Sequence, residues 1–430
     1  MKNLLFFLLM TVLCSLSAGE NLTPIEKSIS EKAKKSTPEA IALLEKVVNI
    51  NSGTMNHEGV AQVGGIFSKE FEALGFEVRW IPQKQVNRAG HLFAERKGKA
   101  GKRLILIGHL DTVFEKESAF QPFTRKGKRA TGQGVNDMKG GDVIALFALK
   151  ALHEAGALEN TSIIVAFTGD EEMPGLPTEI SRKDLLEAGK RSDIALGFES
   201  AEGLNTGTIA RRGIGAWTLK VKGSQAHSSG IFGKDGYGAI FEASRILNAF
   251  RTEMGGEQYL TFNPGVIVGG TEVQYDSENS KGTAFGKTNV IARSVTAEGD
   301  LRFISETQQE KARERMRKIV AQNLPGTSAQ ISFEEGYPGM EPTEGNKKLL
   351  QVFDRVSRDL GFSPIVPFDP GKRGAADISF IAKHVDGLDG LGAMGEGGHS
   401  PEEDIDLEPI PVLIQRAAIL IYRLTHTEGY

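Results

Sequence analysis

The chain has 430 residues, 40% of them hydrophobic and 25% charged, with a formal net charge of −4. That length exceeds one ordinary hydrophobic core and asks for two domains. The composition is that of a soluble globular protein, and a weakly acidic chain without an arginine-rich stripe gives no electrostatic case for nucleic acid.

The first residues read as an export signal, residues 1–19. Met1-Lys2-Asn3 precedes an apolar run over residues 4–13, followed by the small residues Ser15, Ser17, Ala18 and Gly19. The run is too short to span a bilayer as a mature helix. The expectation is a periplasmic or secreted protein with no stable membrane insertion. Cys14, the only cysteine, lies in this run behind Leu13, where a lipoprotein signal wants a small residue. The mature chain then has no thiolate, and a metal would have to be held by His, Asp and Glu.

Strands then alternate with helices. Residues 103–108 and 162–168 are continuous apolar runs, as expected of strands covered on both faces, and residues 193–198 give a third. Residues 142–154 carry Val143, Ile144, Phe147 and Leu152 at helical spacing. This is a βαβ series with a mostly parallel sheet. From Gly213 the texture changes: Trp217, Leu219 and Val221 alternate with polar residues, as in a strand with one solvated face. A helix over 236–254, strands over 265–273 and 290–303, a charged helix over 306–322 and a strand over 329–334 complete a β-α-β-β-α-β order, the ferredoxin-like split βαβ sandwich. The βα texture resumes after Tyr337-Pro338 and ends in a helix over 409–425. The fold class is therefore α/β: a catalytic domain (20–212 and 328–430) interrupted by an inserted α+β lid or dimerisation domain (213–327).

The chemistry sits at the predicted strand ends. In Gly108-His109-Leu110-Asp111-Thr112, residues i and i+2 share a face, so His109 and Asp111 point together. One can ligate metal while the other fixes the imidazole; the same pair can also be purely structural. Open α/β sheets bind their ligands at this end. Gly132-Gln133-Gly134-Val135-Asn136-Asp137 allows close backbone approach and delivers a carboxylate able to bridge two metals. Its opening mimics a dinucleotide fingerprint, but Asp137 stands where the third glycine would be and would repel a pyrophosphate. Glu171 and Glu172 directly follow a buried strand, which is costly unless a cation or proton compensates. Glu199 ends another strand, and His399 sits in the tight loop Gly395-Glu396-Gly397-Gly398-His399-Ser400. Two histidines and several carboxylates converging on strand ends can hold two divalent metals and still leave a base for water.

These segments, taken as a set, resemble the zinc peptidase family of carboxypeptidase G (glutamate carboxypeptidase), aminoacylase, acetylornithine deacetylase and succinyl-diaminopimelate desuccinylase. The resemblance runs over nearly the whole mature chain. It implies two divalent metal ions per chain, zinc before cobalt or manganese. His109, Asp137 and Glu199 would hold one; Asp137, Glu172 and His399 would hold the other, with Asp137 bridging. Asp111 would orient His109, Glu171 would be the general base, and the peptide after Asp137 would be cis. In the lid, His227 would reach a partner subunit's site to assist the oxyanion, which implies a homodimer. Asn289 and Arg302 would meet the carboxylate end of a peptide or N-acyl amino acid substrate; an ion pair of Arg302 with Asp300 is the competing reading. Gly374-Ala375-Ala376-Asp377 lacks the hydroxyl that relatives carry before the Asp. Lys372 and Arg373 just before it serve an acidic substrate or are simply solvated. The function implied is a carboxypeptidase; the alternatives are an N-acyl-amino-acid amidohydrolase with the same centre and a non-catalytic secreted binding protein.

Overall fold

The computed structural model describes residues 22–277 and 279–426. The expected leader, with Cys14, lies outside the described residues. Among the described residues three helices come first: Pro24–Lys35, Thr37–Val48 and His57–Ala73. Thr23 and Glu26 start the first with a reciprocal capping box, and Pro24 fits its first turn, where an N–H has no helical partner.

The chain then lays down β1 (Glu77–Pro82), β2 (Gly90–Arg96), β3 (Ala100–His109), β4 (Thr161–Thr168) and β5 (Ile194–Gly197). It leaves to build β6 (Gly213–Gly223), β7 (Thr261–Gly270), β8 (Ser294–Phe303) and β9 (Thr327–Glu334), and returns as β10 (Asp386–Leu388). The main sheet has the order β1-β2-β4-β3-β5-β10. β4, β3, β5 and β10 run parallel, while β1 and β2 add an antiparallel edge. Along β3, Leu104 and Leu106 enter one apolar core and Ile105 and Ile107 the other, so the strand is buried on both faces. Helices Lys139–Glu154 and Ile410–His426 cover the first of these faces.

The inserted part has its own antiparallel sheet, ordered β7-β8-β6-β9. Helices Gly238–Met254 and Glu306–Val320 pack on it around Trp217, Leu219, Ile246, Phe250 and Met316. The alternation along β6 thus separates a helix-covered face from an open one. Two expectations need correction. The division at 327 falls on the first residue of β9, yet β9 pairs with β6 in register from Thr327 to Glu334, so the lid continues to Glu334. An unforeseen hairpin, Glu272–Asp276 with Lys281–Phe285, follows β7, and the next strand starts only at Ser294 because Val290 is held in a bridge to His227. No helix among the described residues is long and apolar enough to cross a membrane.

Candidate active site

The parallel strands deliver their functional residues from their carboxyl ends. His109 is the last residue of β3; Glu171 and Glu172 follow β4; Glu199 follows β5. Asp137 arrives on the glycine loop ahead of helix Lys139–Glu154, and the Asp137–Met138 peptide is cis. Gly141 lets that helix lie against the Glu199 segment: a Cβ there would fall 1.9 Å from the Phe198 carbonyl oxygen. His399 comes from the loop between the short strands Gly395–Glu396 and Asp404–Asp406. It has φ 65°, in the left-handed region that histidine visits more readily than bulkier residues, two residues after Gly397 at φ 70°.

These side chains meet. Asp137 Oδ1 lies 3.3 Å from His109 Nε2, and its Oδ2 lies 3.2 Å from His399 Nε2. His109 Nε2 is also 3.7 Å from Glu199 Oε1, and His399 Nε2 is 3.1 Å from Glu172 Oε2. One carboxylate therefore joins two trios, His109/Asp137/Glu199 and His399/Asp137/Glu172. Ligand atoms of His109, Asp137 and Glu172, and of His109, Glu171 and Glu199, also cluster within 4.8 Å. The pairwise distances carry more weight for the grouping, because they show which oxygen faces which imidazole. His109 Nδ1 lies 3.0 Å from the Asp111 carbonyl oxygen and 3.5 Å from its Oδ1. The Asp111 carboxylate accepts from Thr54 Oγ1 at 2.6 Å and from the backbone N–H groups of Glu171 and Glu172.

The electrostatics are those of an unbalanced anionic pocket. Burial pushes the Glu171 carboxyl well above its usual range, raises Glu172, and lifts Glu199 to about 7. Hydrogen bonds donated to the Asp137 and Glu172 carboxylates hold His399 up at about 11. Burial opposes a charge on His109, yet Asp111, Asp137, Glu171 and Glu199 together hold it well above its usual value. Glu172 Oε1 is buried without a hydrogen-bond partner. An orphaned carboxylate oxygen among imidazole nitrogens and further carboxylates fits a divalent cation, and the all-N/O donor set suits zinc, cobalt or manganese.

Several supporting residues escaped the sequence reading. Glu403, buried, accepts from the backbone N–H groups of Gly134 (2.9 Å), Asn136 (2.8 Å) and Asp137 (2.9 Å), and so clamps the Asp137 loop to the segment that carries His399. Burial outweighs these donors and pushes its carboxyl up to about 7. Behind Glu171, Arg182 spans Asp170 (2.5 Å) and Asp377 (2.7 Å), and the Tyr337 hydroxyl donates to the Glu171 carbonyl at 2.6 Å. Asp377 is thus committed to this buried ionic web. Lys139 is buried, donates to the Ile50 carbonyl at 2.9 Å, and is pushed by burial down to about 7.

The lid residues are placed elsewhere. His227 is exposed, with Nδ1 2.8 Å from Ser229 Oγ, and Asn289 accepts from the Ser228 N–H beside it. Arg302 donates to Asp300 at 2.9 Å, the competing ion pair. None of the three lines the cavity of about 400 Å³ that contains Asp137, Glu171, Glu172, Glu199 and His399. Arg373, by contrast, is buried in that cavity's wall, and only Lys372 is solvated.

An α/β sheet with a buried imidazole–carboxylate cluster at its strand ends, interrupted by a separate small domain, is the architecture of a metal-dependent hydrolase. The chain belongs to peptidase family M20/M25/M40, whose profile matches residues 105–423. It is 30% identical over 401 residues to carboxypeptidase G2 of a Pseudomonas species, covering 92% of this chain and 91% of that one. It is 25% identical over 403 residues to succinyl-diaminopimelate desuccinylase of Magnetococcus marinus, covering 90% and 99%. A dinuclear metal binding peptidase of the M20 family from Bacillus subtilis shares the fold with a TM-score of 0.63 at 18% identity, covering 91% and 99%. The protein is accordingly a hydrolase of amide bonds, a metallo-exopeptidase or deacylase in kind.

Proposed function

We propose that this chain is an exported di-zinc carboxypeptidase that cleaves the amide bond before a C-terminal amino acid. The observation that carries the reading is Asp137 facing His109 with one oxygen and His399 with the other, with Glu171 in the same cavity. His109, Asp137 and Glu199 would hold one metal, and Asp137, Glu172 and His399 the second. Bound metal supplies a Lewis acid for the scissile carbonyl and acidifies water.

The remaining work falls to the chain's own side chains. Asp111 orients the His109 ring, while its carboxylate accepts from the N–H groups of Glu171 and Glu172 and so sets both in place. Glu171 is the proton carrier: its carboxylate takes a proton from water and returns it to the leaving amine nitrogen. Burial favours this role by raising its proton affinity well above that of an exposed carboxylate. The Arg182–Tyr337 web fixes the Glu171 backbone, so that the carboxylate turns about a fixed stem.

The lid completes the site in a homodimer. Exposed Phe232, Ile240, Phe241 and Ile267 give it apolar surface for a second copy. His227 would then serve the partner's oxyanion, and Asn289 and Arg302 the substrate's terminal carboxylate. Release of an N-acyl group from an amino acid is the second reading, favoured by the 25% identity to a desuccinylase.

The test is turnover of zinc-loaded protein on dipeptides and N-acyl amino acids, each as the free acid and as the C-terminal amide. Cleavage that requires the free α-carboxylate supports the carboxypeptidase reading, and a preference for acyl over aminoacyl groups supports the deacylase. Equal cleavage of acid and amide forms would overturn both.

A further inference from the structure

The cavity wall holds two buried arginines that the hydrolytic steps do not use, Arg211 and Arg373. Their partners differ. Arg211 donates from Nε to buried Asp389 at 2.6 Å and from Nη1 to the Gly374 carbonyl at 3.0 Å, leaving Nη2 unpartnered. Its charge is matched inside the protein, and it secures the segment next to Arg373. Arg373 has a weaker arrangement. Its Nη1 donates to Glu202 at 2.8 Å, its Nη2 donates to the Ser200 carbonyl at 3.1 Å, and its Nε has no partner. Glu202 is its only ion-pair partner among the described residues; that side chain is 42% exposed and also lines the cavity. Burial, and then the charge on Arg211, lower the proton affinity of Arg373. A buried guanidinium whose counter-charge is half in water gains from any carboxylate that enters the cavity and stays there.

We propose that Arg373 selects substrates whose acyl side carries a carboxylate, and that Glu202 occupies the guanidinium until that carboxylate displaces it. The inference rests on the amide-hydrolase reading and narrows its substrates to amides with an acidic acyl part. The acyl side is indicated because Arg302 and Asn289, proposed for the other end, stand on the lid outside the cavity, whereas Arg373 and Glu202 share it with Glu199.

The experiment compares zinc-loaded wild type, Arg373→Met, Arg373→Lys and Glu202→Gln on matched amino-acid amides. The acyl group is succinyl or glutaryl, or the same chain ending in a carboxamide. The wild type should prefer the acid over the carboxamide by on the order of 10- to 100-fold in kcat/KM, the range for one charge-assisted carboxylate pair. Arg373→Met should collapse that ratio toward unity, and Arg373→Lys should keep part of it. Glu202→Gln should raise it, a change of opposite sign that mere loss of packing does not produce. Titration calorimetry of glutarate against its monoamide reads the same ratio without turnover. If no amide is cleaved, the hydrolase reading fails while this binding ratio still decides the role of Arg373. An acid-to-carboxamide ratio unchanged in Arg373→Met, or both substrates falling together, overturns the proposal. So does a variant that loses only its preference for a free C-terminal carboxylate, because the site would then serve the other end.

Discussion

Replacing Glu403 with alanine should loosen the metal centre from behind. The carboxylate accepts three backbone N–H groups, from Gly134, Asn136 and Asp137, all at 2.8–2.9 Å. Alanine strands all three donors in a site where Glu403 is only 2% exposed. Each stranded donor costs about 1–3 kcal/mol, but water refills part of the space and the buried charge is removed. A net loss of about 2–4 kcal/mol follows. Because one of the donors belongs to Asp137, the loop that carries the bridging carboxylate loses its fixed position. Zinc affinity should fall about 10- to 100-fold, as for other residues that hold a metal ligand from behind. Glu403→Gln keeps one acceptor oxygen for Asn136 and Asp137 and loses the bond to Gly134, so its effect should be clearly smaller. The assay is zinc competition against a chromophoric chelator, with melting curves alongside. A folded Glu403→Ala protein with wild-type zinc affinity would refute the clamp.

Three further outcomes are expected. Glu171→Gln should keep its zinc, measured by elemental analysis, and lose about 10²- to 10⁴-fold in kcat; a near-normal rate would remove Glu171 as the proton carrier. Asp137→Asn should lose both metals together, and retention of one full equivalent would show that Asp137 does not join the two trios. At Glu26, burial opposes ionisation, but the Arg423 guanidinium and Thr23 outweigh it and hold the carboxyl below its usual value of 4.5. A depressed carboxyl contributes stability that is whole above that value and is lost as pH falls through the folded one. Glu26→Gln should therefore lower Tm at neutral pH and shrink the loss of Tm on acidification; an unchanged pH dependence would contradict the pair.

The sequence made the site legible where physics is local. A fully apolar run followed by His109, or by Glu171-Glu172, reads as a buried strand feeding polar groups to its carboxyl end, and the structure places them there. His399 was legible only from its glycine-rich loop. Glu403 was not, because it acts on backbone groups more than 260 residues away and no side-chain pattern marks it. Arg373 read equally well as solvated, since nothing near it in sequence reveals that Arg211 and Ser200 enclose it. The edge strand β1 has mixed exposure and no clean alternation. The division at 327 cut off a strand over 329–334 that the β-α-β-β-α-β order itself assigns to the lid, and β9 does pair with β6.

The proposed hydrolytic centre holds two metals on Asp137. The most direct measurement counts zinc per chain while following turnover of an N-acyl amino acid, through chelation and stepwise readdition. The expected result is two equivalents of zinc, with activity lost on stripping and recovered as the equivalents return. Full activity in the stripped protein, or two bound equivalents without turnover on any amide, would contradict it.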